Sequence, residues 1–555
     1  MVQVVSIQRK IYNMTDYFDV EFSQEALKRM KNYKYGKNWP VVYIIHGEKE
    51  AYIGETTSVV RRTKNHLKDP ERDRLKSIKV IADKQFNKSA TLDIESKLIE
   101  YMSADEKYVL QNSNRGLRKH DYYQKSIYQD KFSEIWDLLK EEKLAINNIF
   151  DIQNSDLFKY SPFKVLTEEQ LEIVQSIEKI MQLKDESNHI VKGEPGSGKT
   201  ILAVYLVKYL LEDKTNGFND IGLVVPMTSL RGTIKRIFKN IKGLQAKMVI
   251  GPYDVAKRKY DLLIVDESHR LARRKQLSNY RAFDNVNKKL GFDKEDGTQL
   301  DWIFKQGKHV VLFYDKKQSV KPTDIQSDQF KCIDANQYSL ESQFRVKAGK
   351  KYTQYIENIL NQENISKINF SNYDLKLYKD VQDMVDCIKE KNSEVELSRL
   401  VAGYAWKWES KKDKSKYDIF IDEYKYQWNS VNKDWINSPN AINEIGCIHT
   451  VQGYDLNYAG VIIGLELFME NGVIKYNGDH YKDTIAKDLT LSDDEMKEYI
   501  VNIYKTLLTR GIYGTYIYIC DDELKDYFSK YIEYATKKTE YCCNNINSHG
   551  KVAED

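Results

Sequence analysis

Two rhythms of apolar and polar residues run along the chain. From residue 160 onward, short runs that are apolar on both faces recur. They are His189-Ile190-Val191-Lys192, Ile221 to Thr228, Leu262-Leu263-Ile264-Val265, His309 to Tyr314, Arg399 to Trp408, Gly460 to Gly464 and Gly514 to Cys520. Strands buried on both faces have this character. Between them lie segments with helical spacing, such as Ile201 to Leu211, and the alternation predicts an α/β chain with parallel sheets. Residues 270–305 read as a helical insertion. The N-terminal part has another texture. Trp39 to Ile45 and Ala51 to Thr56 flank the polar turn His46 to Glu50, which predicts a hairpin. A helix carrying Arg61, Arg62 and His66 follows, then an amphipathic helix over Thr91 to Tyr101 and a polar turn over Leu110 to Gly116.

These patterns predict an irregular arm with one helix over 1–37, a small α/β domain over 38–125 and a helical linker over 126–160. A first parallel-sheet domain over 161–335, a second over 336–545 and a tail over 546–555 complete the organisation. The linker reading rests on Trp136, Leu138, Leu139 and Leu144 at helical spacings.

Composition alters this picture little. With 41% hydrophobic and 30% charged residues the chain reads as soluble and globular, and no apolar run reaches membrane-spanning length. Met1 to Lys10 lacks the apolar core of a signal peptide. The six cysteines form no C-x-x-C pair, so a reduced cytoplasmic setting is expected, with no membrane partner. A net charge of +4 gives no global argument for nucleic-acid binding, which would rest on local basic strips.

The most specific stretch is Gly193-Glu194-Pro195-Gly196-Ser197-Gly198-Lys199-Thr200, which fits G-x-x-x-x-G-K-[ST] between a predicted strand and a predicted helix. Such glycines let backbone N–H groups close on phosphate oxygens at a helix N-terminus. Lys199 is expected to reach the β- and γ-phosphates of ATP, and the Thr200 hydroxyl to hold Mg²⁺. The apolar run ending in Asp266-Glu267 supplies the acidic partner: Asp266 for the Mg²⁺ shell, Glu267 to orient or deprotonate water. Thr167 is a good N-cap, and the placing of Gln170 resembles that of the adenine-reading glutamine of helicases, with Phe163 as a stacking partner; the alternative is an ordinary capped helix.

Tyr52-Ile53-Gly54, Arg62, His66, Glu95 and Asn112 occur in an order that resembles the GIY-YIG endonuclease family, with Val41-Val42-Tyr43 in place of Gly-Ile-Tyr. The resemblance covers about ninety residues. It implies a metal-dependent phosphodiesterase in which Glu95 anchors Mg²⁺ or Mn²⁺. Arg62 would bind the scissile phosphate, and Tyr43 or Tyr52 would act as base if its pKa is lowered by metal or by His66. Glu55 stands where several members have lysine. The alternative is a small α/β module, or an inactive nuclease, with core tyrosines and surface Arg and His.

Further along, Gln318 follows a strand, Gln343-Phe344-Arg345 and Thr509-Arg510-Gly511 offer arginines, and Gln452-Gly453 precedes another strand. In this order the blocks resemble superfamily 1 helicases, and among them the Schlafen-type helicase-like NTPases of bacteria. That likeness implies two RecA-like lobes with ATP between them. Gln318 would sense the γ-phosphate, Gln452 and Gly453 would help bind nucleotide, and Arg345 and Arg510 would be arginine fingers. Trp406 or Trp408 would either stack on bases or pack as ordinary core. Together the resemblances imply an ATP-dependent or ATP-regulated endonuclease acting on DNA, in bacterial defence against phage or plasmid. The rival is a DNA-repair or RNA-directed NTPase whose N-terminal domain only binds nucleic acid or a partner. Self-association into a homo-oligomer is left open.

Overall fold

The computed structural model describes residues 8–12, 15–112, 122–213, 217–277, 279–318, 323–431, 434–451, 454–483 and 492–536. Gln452, Gly453, residues 113–116 of the polar turn and the 546–555 tail lie outside them. The chain divides into two compact units. The first comprises Met1–Glu194, Gly198–Lys316 and Ile325–Glu341, and the second comprises Pro195–Ser197, Lys317–Asp324 and Ser342–Asp555. Among the described residues no helix is long and apolar enough to cross a membrane.

The first unit holds two sheets. One contains β1 (Gln8–Tyr12), β2 (Thr15–Glu21), β3 (Val41–His46), β4 (Glu50–Thr56), β5 (Ser77–Asp83) and β6 (Val109–Leu110), in the order β1-β2-β5-β3-β4-β6. The expected hairpin is present: β3 pairs antiparallel with β4, from Val41 opposite Thr56 to His46 opposite Ala51. β3 also pairs with β5, so it is interior, and Val41 to Ile45 are all buried. An interior strand covered on both faces has no reason to alternate. Residues 8–12 and 15–21, read as part of an irregular arm, are instead two strands of this sheet, and β2 pairs along its whole length with β5. In β2 the buried positions include Thr15 and Asp16, which masks its strand character.

The other sheet is parallel throughout. It contains β7 (Ser187–Gly193), β8 (Ile221–Val224), β9 (Val249–Ile250), β10 (Tyr260–Val265), β11 (Gly307–Tyr314) and β12 (Asn336–Leu340), in the order β12-β7-β11-β10-β8-β9. The segment read as a linker forms the helices Lys125–Glu141, Ile149–Asn154 and Asp156–Lys159. It is packed rather than strung out. Trp136, Leu138 and Leu139 share one apolar cluster with Ile94 and Leu98 below the first sheet and Val204 and Leu206 below the second. Lys131 is buried against Asp83 of β5, so the helix is tied to the sheet by a desolvated ion pair as well.

The second unit is built on β13 (Asp374–Leu377), β14 (Arg399–Ala402), β15 (Ile419–Ile421), β16 (Tyr424–Trp428), β17 (Glu444–Cys447), β18 (Leu456–Ile463), a separate hairpin of β19 (Leu467–Glu470) and β20 (Val473–Tyr476), and β21 (Gly511–Ile519). The main sheet runs β13-β21-β18-β14-β17-β16-β15, parallel except for the β15–β16 hairpin at its edge. β14 stops at Ala402, short of the run read to Trp408. A side chain at Gly403 would meet Glu466 and the Tyr504 hydroxyl, and the chain turns out of the sheet there.

Candidate functional sites

β7 delivers the chain to Gly193 at its carboxyl end, where ligands of parallel sheets bind. Gly196 and Gly198 follow with φ of +83° and +85°, a region that favours glycine, and the helix Lys199–Glu212 begins at once. The glycine spacing is therefore the geometry of this turn. Lys199 Nζ donates to the carbonyls of Gly193 (2.7 Å) and Glu194 (3.0 Å), and lies 3.3 Å from Asp315 Oδ2 beyond the end of β11. Thr200 Oγ1 donates to Asp266 Oδ2 at 2.8 Å, at the end of β10. The other oxygen, Asp266 Oδ1, is buried without a hydrogen-bond partner. Burial, and then the neighbouring Glu267, raise the Asp266 pKa. A hydroxyl beside an unmatched buried carboxylate oxygen is a donor set that suits Mg²⁺.

Glu267 adopts a left-handed backbone, φ +48°. Its Oε2 lies 3.1 Å from Nε2 of the buried His269. The Asp315 N–H donates to His269 Nδ1 at 3.3 Å, so Nδ1 carries no proton and Nε2 does, facing Glu267. Burial lowers the His269 pKa, keeping the ring neutral. Lys199, Asp315 and His269 are thus linked in turn, and the His269 ring lies against Glu267. His269 was not singled out in the sequence. Its position three residues after Asp266 was the available signal.

Gln170 is buried, and its side chain accepts from the Thr167 N–H at 3.2 Å while Thr167 Oγ1 accepts from the Gln170 N–H. The helix cap is present, formed through the amide oxygen of Gln170. Phe163 is buried with Lys208 Nζ 5.7 Å from its ring centre. Gln318 is buried in the 3₁₀ turn after β11. In the second unit, Gln343 Nε2 donates to Pro195 O at 2.6 Å, and a Cβ on Gly196 would come within 2.8 Å of Arg345 Cβ. Arg345 donates to Asp455, and Arg510, only 1% exposed, donates to Tyr454 O at 2.8 Å. Trp406 and Trp408 are half-buried against the apolar layer around Trp428.

A second cluster forms in the N-terminal sheet. Tyr43 of β3, Tyr52 of β4, and Arg62 and His66 of the helix Val59–His66 converge. Arg62 Nε donates to the Tyr43 oxygen (3.2 Å) and Arg62 Nη2 to Tyr52 (3.4 Å). Tyr43 lies 2.9 Å from His66 Nε2. Arg62 can only donate, so the Tyr43 hydroxyl proton points to His66. Gly54 is required because a Cβ there would lie 2.3 Å from the Tyr43 hydroxyl. Burial pushes His66 down to about 4, helped by Arg62 and Arg72, so the ring is neutral near pH 7. Burial also drives the Tyr43 pKa up, with Tyr52 adding to it, against the expectation that it would be lowered for a base. Nothing on the His66 side reverses that, because a neutral imidazole brings no charge.

Glu95, on the helix Lys88–Ala104, is pushed up to about 7 by burial and by the charge of Glu55, which in turn pairs with Lys88. Among the described residues no group of three or more His, Cys, Asp or Glu side chains is placed to hold a metal ion. A cation at Glu95 would therefore take its remaining ligands from water and phosphate. Asn112 does not face outward: its side chain accepts from the Ile53 N–H (3.0 Å) and donates to the Ile53 carbonyl (2.8 Å). Arg72, which the sequence reading missed, lies 4.0 Å over the Tyr52 ring.

Comparison with known proteins gives a family match. The model for the Schlafen group 3, DNA/RNA helicase domain matches residues 186–521. An uncharacterised protein of Saccharomyces cerevisiae is 26% identical over 403 residues, 62% of this chain and 86% of that protein. Solved structures with some likeness include Bacteroides Pif1 bound to single-stranded DNA and an arterivirus nonstructural protein 10 helicase with DNA. Each is 14% identical over 64% of this chain, covering 92% and 65% of the respective chains, with a TM-score of 0.27. At that score the likeness is too distant to bear on the fold.

Proposed function

The chain belongs to the Schlafen group 3 DNA/RNA helicase family, and from that premise we propose that its helicase-like NTPase motor serves a metal-dependent endonuclease in the N-terminal sheet. The motor hydrolyses ATP. Lys199 grips the β- and γ-phosphates, Thr200 and Asp266 hold Mg²⁺, and Glu267 orients the attacking water. Arg345 and Arg510 would serve the transferring phosphoryl group only on leaving Asp455 and Tyr454 O, the partners they hold here, and Gln318 would respond to the γ-phosphate. In the endonuclease, Arg62 holds the scissile phosphate in a bidentate grip, and Glu95 holds the cation. Cations held by these residues would supply charge neutralisation on the phosphates. Neutral His66 accepts the hydrogen bond of the Tyr43 hydroxyl and so orients it, and a cation held at Glu95 would have to lower the pKa of Tyr43 or Tyr52 before either could serve as base. DNA is the proposed substrate, and defence against foreign DNA in the cytoplasm the proposed setting.

The observation that carries the nuclease reading is the meeting of Tyr43, Tyr52, Arg62 and His66 in one hydrogen-bonded cluster, from two strands and a helix. The test is supercoiled plasmid with Mg²⁺. Wild type should nick it and Glu95→Ala should not. Equal nicking by both would overturn the assignment. The Glu55 carboxylate beside Glu95 favours a second reading, in which the scissile phosphate is kept from this cluster and the domain only binds nucleic acid, or a partner, elsewhere on its surface. In that case no variant nicks, while nucleic acid still binds.

A further inference from the structure

In the second unit the chain order reverses between β18 and β14, because β17 lies on one side of β14 and β18 on the other. Open parallel sheets bind ligands in the crevice outside the carboxyl ends of the strands at such a point. A cleft of about 700 Å³ sits there. Trp406 follows β14, Leu465 follows β18 and Cys520 follows β21 on its walls, and the β15–β16 hairpin closes another side with Tyr417 and Phe420. Its volume is that of a pocket for one small organic group rather than a long track.

Phe420 is 62% exposed. Its neighbours Ile419 and Ile421 are buried, so strand alternation turns the phenyl ring away from the core and into the cleft wall. Tyr417 is exposed as well. The cleft is lined by Lys407, Lys416 and Lys482, and Lys411, Lys412 and Lys414 fall in the segment between the first two. The acidic groups among them are partly engaged. Asp418 is buried and accepts from Ser410 and from the Trp428 N–H, Asp413 accepts from Ser415, and Glu409 lies 3.3 Å from Lys416. Asp422 and the Tyr518 hydroxyl, 3.3 Å apart, leave polar edges inside. Aromatic faces, a lysine rim and a few polar groups match an unstacked base flanked by phosphates.

We propose that this cleft takes one unstacked base of a single strand bound to the motor, stacked against Phe420, with Tyr417 on the same wall and the neighbouring lysines on the adjoining phosphates. The proposal rests on the nucleic-acid reading above and adds to it the place and the mode of contact.

The test uses the full chain, single-stranded DNA carrying 5-iodouracil, and a fluorescent strand for binding. Cross-links are expected in the stretch Trp406 to Phe420. Phe420→Ala should weaken strand binding by about tenfold, the loss expected for one base–aromatic stack, with ATPase activity in the absence of strand unchanged. Because Phe420 is exposed, its truncation leaves the core intact; Lys411→Ala with Lys414→Ala gives a second readout, a shallower salt dependence of binding. Strand that binds with full affinity to Phe420→Ala and cross-links elsewhere overturns the cleft while leaving the nucleic-acid reading standing. Free nucleotide that saturates the cleft and blocks cross-linking overturns the strand as its occupant. Failure of every strand to bind overturns the nucleic-acid reading, and this proposal with it.

Discussion

Asn112→Ala tests how the N-terminal cluster is held together. β4 and β6 pair only at Glu50–Val109 and Ala51–Leu110, with flanking bonds from the Val109 N–H to Lys49 O and from the Gln111 N–H to Ala51 O. Beyond that point the Asn112 side chain does what a strand backbone would do, meeting both the N–H and the carbonyl of Ile53. Ile53 is fully buried and Asn112 is 7% exposed, so water cannot replace the lost amide. Each orphaned backbone group costs roughly 1–3 kcal/mol, so the pair costs about 2–6 kcal/mol. Against a folding stability on the order of 5–15 kcal/mol, that opens the β4 edge locally. Every 1.4 kcal/mol is tenfold, so amide exchange in 50–56 should accelerate by about thirtyfold or more. Asn112→Asp keeps the acceptor for the Ile53 N–H but sets a carboxylate against its carbonyl, so it too should accelerate exchange. The assay is hydrogen exchange read by mass spectrometry on that peptide, with ATPase activity as the control that the motor is intact. Unchanged protection of 50–56 in Asn112→Ala would refute the clamp, and Asn112 would return to being a candidate for substrate contact.

Other expectations follow from the same geometry. Lys199→Ala should lower ATP turnover by at least about a hundredfold, because a charge-assisted contact to the phosphates is removed; a steady-state phosphate-release assay checks it. Only ionised Glu95 holds a cation, and its pKa is about 7, so nicking should rise as pH climbs through that value. Because metal competes with the proton, the midpoint should move to lower pH as Mg²⁺ is raised; a midpoint indifferent to Mg²⁺ would count against Glu95 as the ligand. His269→Gln should lower the kcat of ATP hydrolysis about ten- to a hundredfold with KM nearly unchanged, since the ring touches Glu267 rather than phosphate. A rise in KM with kcat intact would contradict that role.

The parts of the account legible in the sequence were those that are local in the chain. Gly193 to Thr200 is a continuous turn whose glycine positions answer to its own positive φ angles, and Asp266 ends a run whose burial is visible in its composition. Arg62 and His66 could be placed on one helix face because they are four apart. What stayed hidden depends on the fold. Strand β2 carries buried Thr15 and Asp16, so its hydropathy does not reveal that β5 covers it. Arg72 sits in a 3₁₀ turn of no distinctive pattern, and only tertiary packing lays it over Tyr52. His269 gains meaning from the Asp315 N–H, forty-six residues away. Gln170 shows the reverse: a glutamine suited to reading adenine is, in this structure, engaged in its own helix cap.

The most direct test of the whole account is cleavage of supercoiled plasmid in Mg²⁺ by wild type, Glu95→Ala and Lys199→Ala, each with and without ATP. The account predicts nicking that vanishes in Glu95→Ala, changes in rate when ATP is added to wild type, and ignores ATP in Lys199→Ala. Nicking that survives Glu95→Ala, or that responds to ATP equally in wild type and Lys199→Ala, would contradict it.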